Sequence, residues 1–167
     1  MYIPTAVSRR EGLALQHWAK DKNVVEAGSL LGYSTIQLAQ TANFVVSIDH
    51  HKGYQFWHNA TYRQFRRNLE VAGVAQRVAA VMGDYSLLKH YPADFVFIDL
   101  DGTYKTTLSA IQVAQSEYIG VHDYGRTFCR GVAEAVENSG CLVAERVDSL
   151  IVLQRPYQRA GFSQKPL

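Results

Sequence analysis

Apolar and polar positions alternate along the chain between two rhythms: short runs of consecutive β-branched and aromatic residues, and longer stretches in which apolar residues return every three or four positions. The short runs predict buried strands at residues 23–28, 44–49, 78–82, 93–98 and 118–121. The longer stretches predict helices over residues 9–20, 34–41, 60–71, 105–115 and 127–138. In the first helix Leu13, Leu15, Trp18 and Ala19 fall largely on one side behind a capping Ser8, and in the third Phe65, Leu69 and Ala72 share a face. Gly140 supplies a stop after the last helix.

Strands that alternate with helices predict parallel pairing, because a parallel connection needs a crossover and a helix is the usual one. The end of the chain breaks the rhythm. Residues 141–147 and 150–153 are both strand-like, but only Asp148 and Ser149 separate them, so they must pair as an antiparallel hairpin at a sheet edge. The expected fold is therefore α/β, a doubly wound and mostly parallel seven-stranded sheet with a C-terminal antiparallel hairpin. It occupies one domain over residues 1–167, a length that buries a core without dividing.

Composition narrows the function classes. Hydrophobic residues make up 47% and charged residues 19%, the balance of an ordinary globular protein. The 17 basic residues against 15 acidic ones leave a net charge of +2, and the densest basic run, Arg63, Arg66 and Arg67, reads as the solvated face of a helix, so no nucleic-acid partner is expected. Cys129 and Cys141 form no CxxC pair, which supports neither a disulfide framework nor a zinc cluster. No long apolar run suggests a leader or a membrane span, and a reducing cytoplasm is the expected location. Pairing of an exposed sheet edge with a second copy leaves a homodimer open.

In open α/β sheets ligands bind outside the carboxyl ends of the strands, and acidic residues collect there in this chain. Between the first strand and its helix lies Glu26-Ala27-Gly28-Ser29-Leu30-Leu31-Gly32-Tyr33-Ser34. Its ExGxxxG spacing lacks the third glycine of a GxGxxG dinucleotide loop, which argues against a nicotinamide cofactor. Asp49 ends the second strand, Gly83-Asp84-Tyr85 follows the third, Asp99 ends the fourth within Phe97-Ile98-Asp99-Leu100-Asp101-Gly102, and His122-Asp123-Tyr124 follows the fifth.

Taken together, the strand order and these segments resemble the class I S-adenosylmethionine-dependent methyltransferases, and in particular a subgroup of small-molecule O-methyltransferases. That subgroup carries an aspartate at the fourth strand end, a His-Asp-Tyr run after the fifth, and a Gly-Val-containing helix beyond it, here Gly131-Val132. The resemblance implies an S-adenosylmethionine site built from Glu26, Gly28, Ser29, Gly32, Ser34, Asp49, His50, Gly83, Asp84, Tyr85 and Asp99. Glu26 would face the cationic amino group or its water shell, and Asp49 the ribose hydroxyls. Asp84 would face the adenine amine, with Met82 or Tyr85 packed on the ring.

Methyl transfer to a hydroxyl requires alignment of donor and acceptor and removal of a proton, for which Asp99, His122 and Asp123 are the available groups. Asp99, Asp101 and Asp123 are also the set that would hold Mg²⁺, if this chain uses a metal as some relatives do. The acceptor is expected to be a small molecule. A loop at residues 50–58, with His50, His51 and His58 flanking Tyr54, Phe56 and Trp57, can supply an apolar wall for it. Two alternatives stay open at this point: a noncatalytic domain that binds S-adenosylmethionine or S-adenosylhomocysteine, and a nucleic-acid methyltransferase. An Asn-Pro-Pro-Tyr-like run and a Pro-Cys nucleophile, features of the latter, are missing from the sequence.

Overall fold

A computed structural model describes residues 2–52 and 61–156. The elements in chain order are α1 (Arg9–Ala19), β1 (Asn23–Ala27), α2 (Tyr33–Ala39), β2 (Phe44–Asp49), α3 (Thr61–Val71), β3 (Val78–Met82), β4 (Phe95–Ile98), α4 (Tyr104–Val113), β5 (Tyr118–Val121), α5 (Arg130–Glu137), β6 (Leu142–Val147) and β7 (Leu150–Gln154). Two 3-10 turns, Ala75–Arg77 and Tyr85–His90, flank β3.

One seven-stranded sheet runs in the order β3-β2-β1-β4-β5-β7-β6. The first five strands pair in parallel, and β7 lies antiparallel to both β5 and β6. The terminal hairpin is thus present as expected, with its second strand placed inside the sheet and its first at the edge. That order explains why β7 is buried along most of its length while β6 exposes Leu142 and Val143. Successive residues of the central strands feed cores on opposite faces: Val24 and Phe97 join one with Leu15, Phe65 and Leu69, while Val25 and Ile98 join the other with Ile111 and Val132. Burial on both faces is why these strands read as unbroken apolar runs.

Sequence periodicity misplaced a few residues. Leu13 is 55% exposed, and the buried face of α1 is instead Glu11, Gly12, Leu15 and Ala19. Ala72 lies past the end of α3 and is exposed. Helix α5 begins at Arg130, three residues later than expected, because residues 126–129 form a turn in which the Cys129 amide donates to the Arg126 carbonyl at 3.0 Å. Tyr54, Phe56, Trp57 and His58 lie outside the described residues. Among the described residues, no helix is long and apolar enough to cross a membrane.

Helix α1 lies over the sheet near β4 and β5, where the Trp18 ring stacks on Phe95 at 5.9 Å and tilts against Tyr118 at 5.2 Å. Its start is fixed by a capping box: the Ser8 side chain accepts from the Glu11 amide at 3.2 Å, and the Glu11 carboxylate accepts from the Ser8 amide at 2.6 Å. The docking of α1 brings the segment before it, Pro4 to Ala6, across the carboxyl ends of the strands.

Candidate active site

A cavity of about 490 Å³ opens at the carboxyl ends of the parallel strands, a volume in the range of small-molecule sites. Its floor is the turn after β1. Gly28 there has φ +91°, and a Cβ on it would fall 1.8 Å from the Asp99 carbonyl oxygen, so the turn can pass under β4 only without a side chain. The next residues, Ser29 and Leu30, point their amides at one oxygen of Asp49, each at 2.8 Å, and the His51 amide reaches its other oxygen at 2.6 Å. Burial would raise the Asp49 pKa, but these amides outweigh it and hold the carboxylate below its ordinary value.

Asp49 therefore organises the loop as well as facing the cavity. A carboxylate offers about four lone-pair positions, so three amides leave room for a further donor. The Ser29 hydroxyl lines the cavity, is buried, and has no hydrogen-bond partner among the described residues. An orphaned buried hydroxyl beside a glycine turn is what a polar ligand group would satisfy.

Most of the residues expected from sequence border this cavity: Gly28, Ser29, Ser34, Asp49, His50, Gly83, Asp84, Tyr85, Asp99, Asp101 and Asp123. Tyr85 lines it, whereas Met82 is 57% exposed and outside the lining. Asp84 also caps the 3-10 turn after it, accepting from the Ser86 amide at 2.8 Å, and its pKa is lowered, first by the hydrogen bonds of Ser86. One Asp84 oxygen is thus engaged and the other is left over. His50 is more than half exposed, with Nδ1 3.7 Å from Asp49.

Three expectations need correction. Glu26 is fully buried beneath the loop and does not line the cavity. It accepts instead from Ser34 and Thr35 at 2.5 Å each and from Ser47 at 2.9 Å, tying β1 and β2 to the start of α2. Gly32 is also outside the cavity: it stands at the N-cap of α2 with φ +90°, where a Cβ would come within 2.9 Å of the Phe65 ring. His122 is buried behind Asp99 and Asp123 and is not part of the cavity lining.

Burial pushes the Glu26 carboxyl up to about 7, against the pull of its three hydroxyl donors, and the nearby Asp99 charge adds to the rise. A carboxyl raised in the folded state stabilises most below its unfolded value, and that contribution is lost as pH rises through the folded value. Stability of the wild type is therefore expected to fall between about pH 4.5 and 7 relative to Glu26→Gln, which has no proton to lose there. Parallel denaturant-melting curves across that window would contradict this assignment.

The expected Mg²⁺ set does not assemble. Asp101 braces the start of α4, whose N-cap is Thr103: one oxygen accepts from the Thr103 amide and hydroxyl at 3.1 Å each and the other from the Thr106 hydroxyl at 3.3 Å. Among the described residues, the group whose ligand-type atoms converge, all within 4.8 Å, is Asp99, His122 and Asp123. Its chemistry fits Mg²⁺ poorly, since a hard cation selects oxygen, while the same Asp123 oxygen sits 3.1 Å from a His122 nitrogen and 3.1 Å from the Arg126 guanidinium. Positive charge is already supplied at that oxygen by side chains.

No motif of the sequence marks the opposite wall. Pro4, Thr5 and Ala6 form it with Arg126, Phe128 and Cys129. Arg126 donates to the Ala6 carbonyl at 2.7 Å and to the Ser149 hydroxyl at 3.0 Å, holding three distant parts of the chain together. No local pattern announces a wall built across 120 residues of separation. Phe128 is 77% exposed at its rim. The Cys129 thiol, which donates to Asp123, is pushed up to about 11 by burial and by that carboxylate, so it is not a ready nucleophile.

No family model and no curated protein matches the sequence. Solved structures do. The cofactor-bound Rv0187 protein from MTB is 25% identical over 92% of this chain and 83% of its own, with a TM-score of 0.69. The O-methyltransferase from Bacillus cereus in complex with SAH is 21% identical over 89% and 82%, with a TM-score of 0.65. The O-methyltransferase TomG from Streptomyces achromogenes, involved in tomaymycin synthesis and solved with SAM, is 20% identical over 90% and 82%, with a TM-score of 0.64. The chain therefore has the Rossmann-like fold of the class I methyltransferases.

Proposed function

We propose that this chain is an S-adenosylmethionine-dependent methyltransferase that acts on a hydroxyl oxygen of a small molecule. The observation that carries the reading is one cavity in which the glycine turn, the unpartnered Ser29 hydroxyl and the carboxylates of Asp49, Asp84 and Asp99 converge. The three similar structures support it, since two are named O-methyltransferases and all three were solved with cofactor, SAH or SAM.

The residues fit the cofactor. The turn amides and the Ser29 hydroxyl suit a carboxylate, the free lone pairs of Asp49 suit ribose hydroxyls, and Asp84 with the Tyr85 ring suits an adenine. Bound there, S-adenosylmethionine supplies a methyl group on a sulfonium, a leaving group that needs no covalent intermediate with the protein. Asp99, at the end of the central strand β4, then orients the acceptor hydroxyl and takes its proton. Asp123 is held in place by His122 and Arg126, its φ of +64° setting it across from Asp99. Pro4 to Ala6 and Phe128 exclude water from the acceptor side.

Calorimetric titration with S-adenosylmethionine and S-adenosylhomocysteine tests the donor site, and a screen of small hydroxyl compounds alongside RNA tests the acceptor. Micromolar binding of both cofactors, undiminished by a chelator, is the expected result. Failure of a folded sample to bind either one would remove the methyltransferase reading, and turnover that stops with the chelator would reverse the metal assignment.

A further inference from the structure

An open sheet ends in two edge strands, each with a row of backbone groups that a protein normally guards against stray pairing. Among the described residues those edges are β6 and β3, and they are built differently. Strand β6 carries Glu145 and Arg146 and a register break between Val143 and Glu145, devices that turn a neighbouring strand away. Strand β3 reads Val78-Ala79-Ala80-Val81-Met82, with no charge, no proline and no break in its register with β2. Ala79, Ala80 and Val81 are half-buried and Met82 is exposed. We infer that β3 is a docking edge for a second copy of this chain, whose own β3 adds antiparallel about a two-fold axis at Ala80 and joins the two sheets into one.

The backbone selects that register. The Gly83 amide donates to the Asp49 carbonyl of β2 at 3.1 Å. A strand alternates with a period of two, so Val81 and Ala79 also turn toward β2, while Ala80, Met82 and the Val78 carbonyl turn outward. The Val78 amide is already used by the Ala75 carbonyl. A two-fold axis perpendicular to the sheet sets each face of one copy beside the same face of the other, so even positions must pair with even and odd with odd. Centred on Ala80, all five residues find partners: Ala80 meets the partner's Ala80, Val78 meets the partner's Met82, and Ala79 meets the partner's Val81. The outward residues then occupy the hydrogen-bonded positions. Each Ala80 amide donates to the partner's Ala80 carbonyl, and each Met82 amide donates to the partner's Val78 carbonyl. A slip of two residues either way leaves two strand residues of each copy outside the seam.

Charge at the strand ends is complementary as well. Arg77, which precedes the strand, and Asp84, which follows it, are both exposed. In this register Arg77 stands opposite the partner's Gly83, one residue from the partner's Asp84, so an arginine and a carboxylate from different copies close the seam at each end. Asp84 accepts from the Ser86 amide at 2.8 Å, and a carboxylate offers about four lone-pair positions, so it can meet a guanidinium and still serve a ligand amine. Because Asp84 borders the cavity, the dimer seats an arginine of one copy at the cavity rim of the other. Nothing in this arrangement depends on the methyl-transfer reading.

The test is sedimentation velocity of the full chain at concentrations up to about 1 mM, high enough to register the weak association of a short interface. The samples are the wild type, Ala80→Pro, Met82→Lys, Arg77→Glu and, on the other edge, Val143→Lys. The wild type is expected to pass from monomer to dimer as concentration rises. Proline at position 80 removes only an outward amide, which an edge strand tolerates, so its dissociation constant should rise by about tenfold or more, the effect of losing two hydrogen bonds per dimer. Met82→Lys places on the edge the residue that most often guards one, and Arg77→Glu sets like charges at both ends of the seam; each should weaken the dimer. These two decide the matter if circular dichroism shows that Ala80→Pro does not fold. Val143→Lys should leave the constant unchanged. A wild type that stays monomeric at the highest concentration, a dimer that withstands all the β3-edge substitutions, or one that only Val143→Lys breaks, overturns the inference.

Discussion

Replacing Asp99 with asparagine is expected to lower methyl-transfer turnover by about 10²–10⁴-fold, the range typical of losing a positioned proton acceptor, while S-adenosylhomocysteine binds within about twofold of wild type. Asparagine keeps the size and shape of the side chain but cannot take a proton from a hydroxyl, so the deficit should lie in kcat and not in cofactor affinity. A single-turnover assay with an acceptor from the hydroxyl screen separates the two. Equal single-turnover rates in wild type and variant would mean that proton removal at this strand end is not part of the reaction. A large loss of cofactor affinity would instead make Asp99 part of the donor site.

The second large effect is expected at Asp49. Substitution by alanine should weaken S-adenosylmethionine binding on the order of a hundredfold. The amides of Ser29 and Leu30 lose a shared acceptor, and the amide of His51 loses another. Each buried donor left unsatisfied costs about 1–3 kcal/mol, and about 1.4 kcal/mol is a tenfold change in affinity. Part of that cost falls on folding, so a lowered melting temperature should accompany the loss. Asp49→Asn retains one acceptor oxygen and should lie between the two. Calorimetry that returns wild-type affinity for Asp49→Ala would remove Asp49 from the cofactor site.

These two residues were legible in the sequence because each ends a strand whose apolar run could be counted, and an open parallel sheet fixes the strand ends as the ligand-binding side. Glu11 was legible only in part. Its place three residues after Ser8 marks a helix start, and the capping box does form, but nothing local connects it to His122, which lies 111 residues away. Glu26 misled for a related reason. An acidic residue at the start of a glycine loop looks ready for a ligand, yet the hydroxyls of Ser34, Thr35 and Ser47 close around it once α2 turns back over β1 and β2.

By itself the sequence determined the α/β alternation, the parallel sheet with its antiparallel end, and the row of aspartates at the strand ends, since all three follow from local periodicity and from what a short connection can span. The tertiary structure alone decided which of those acids face the cavity and which serve the scaffold. It also decided that Asp101 braces the residue that caps a helix, that β7 and not β6 lies inside the sheet, and that Pro4 to Ala6 form a wall. The physical reason is distance along the chain: a carboxylate's role depends on the donors that surround it, and here those donors come from segments that meet only when the sheet has closed its order.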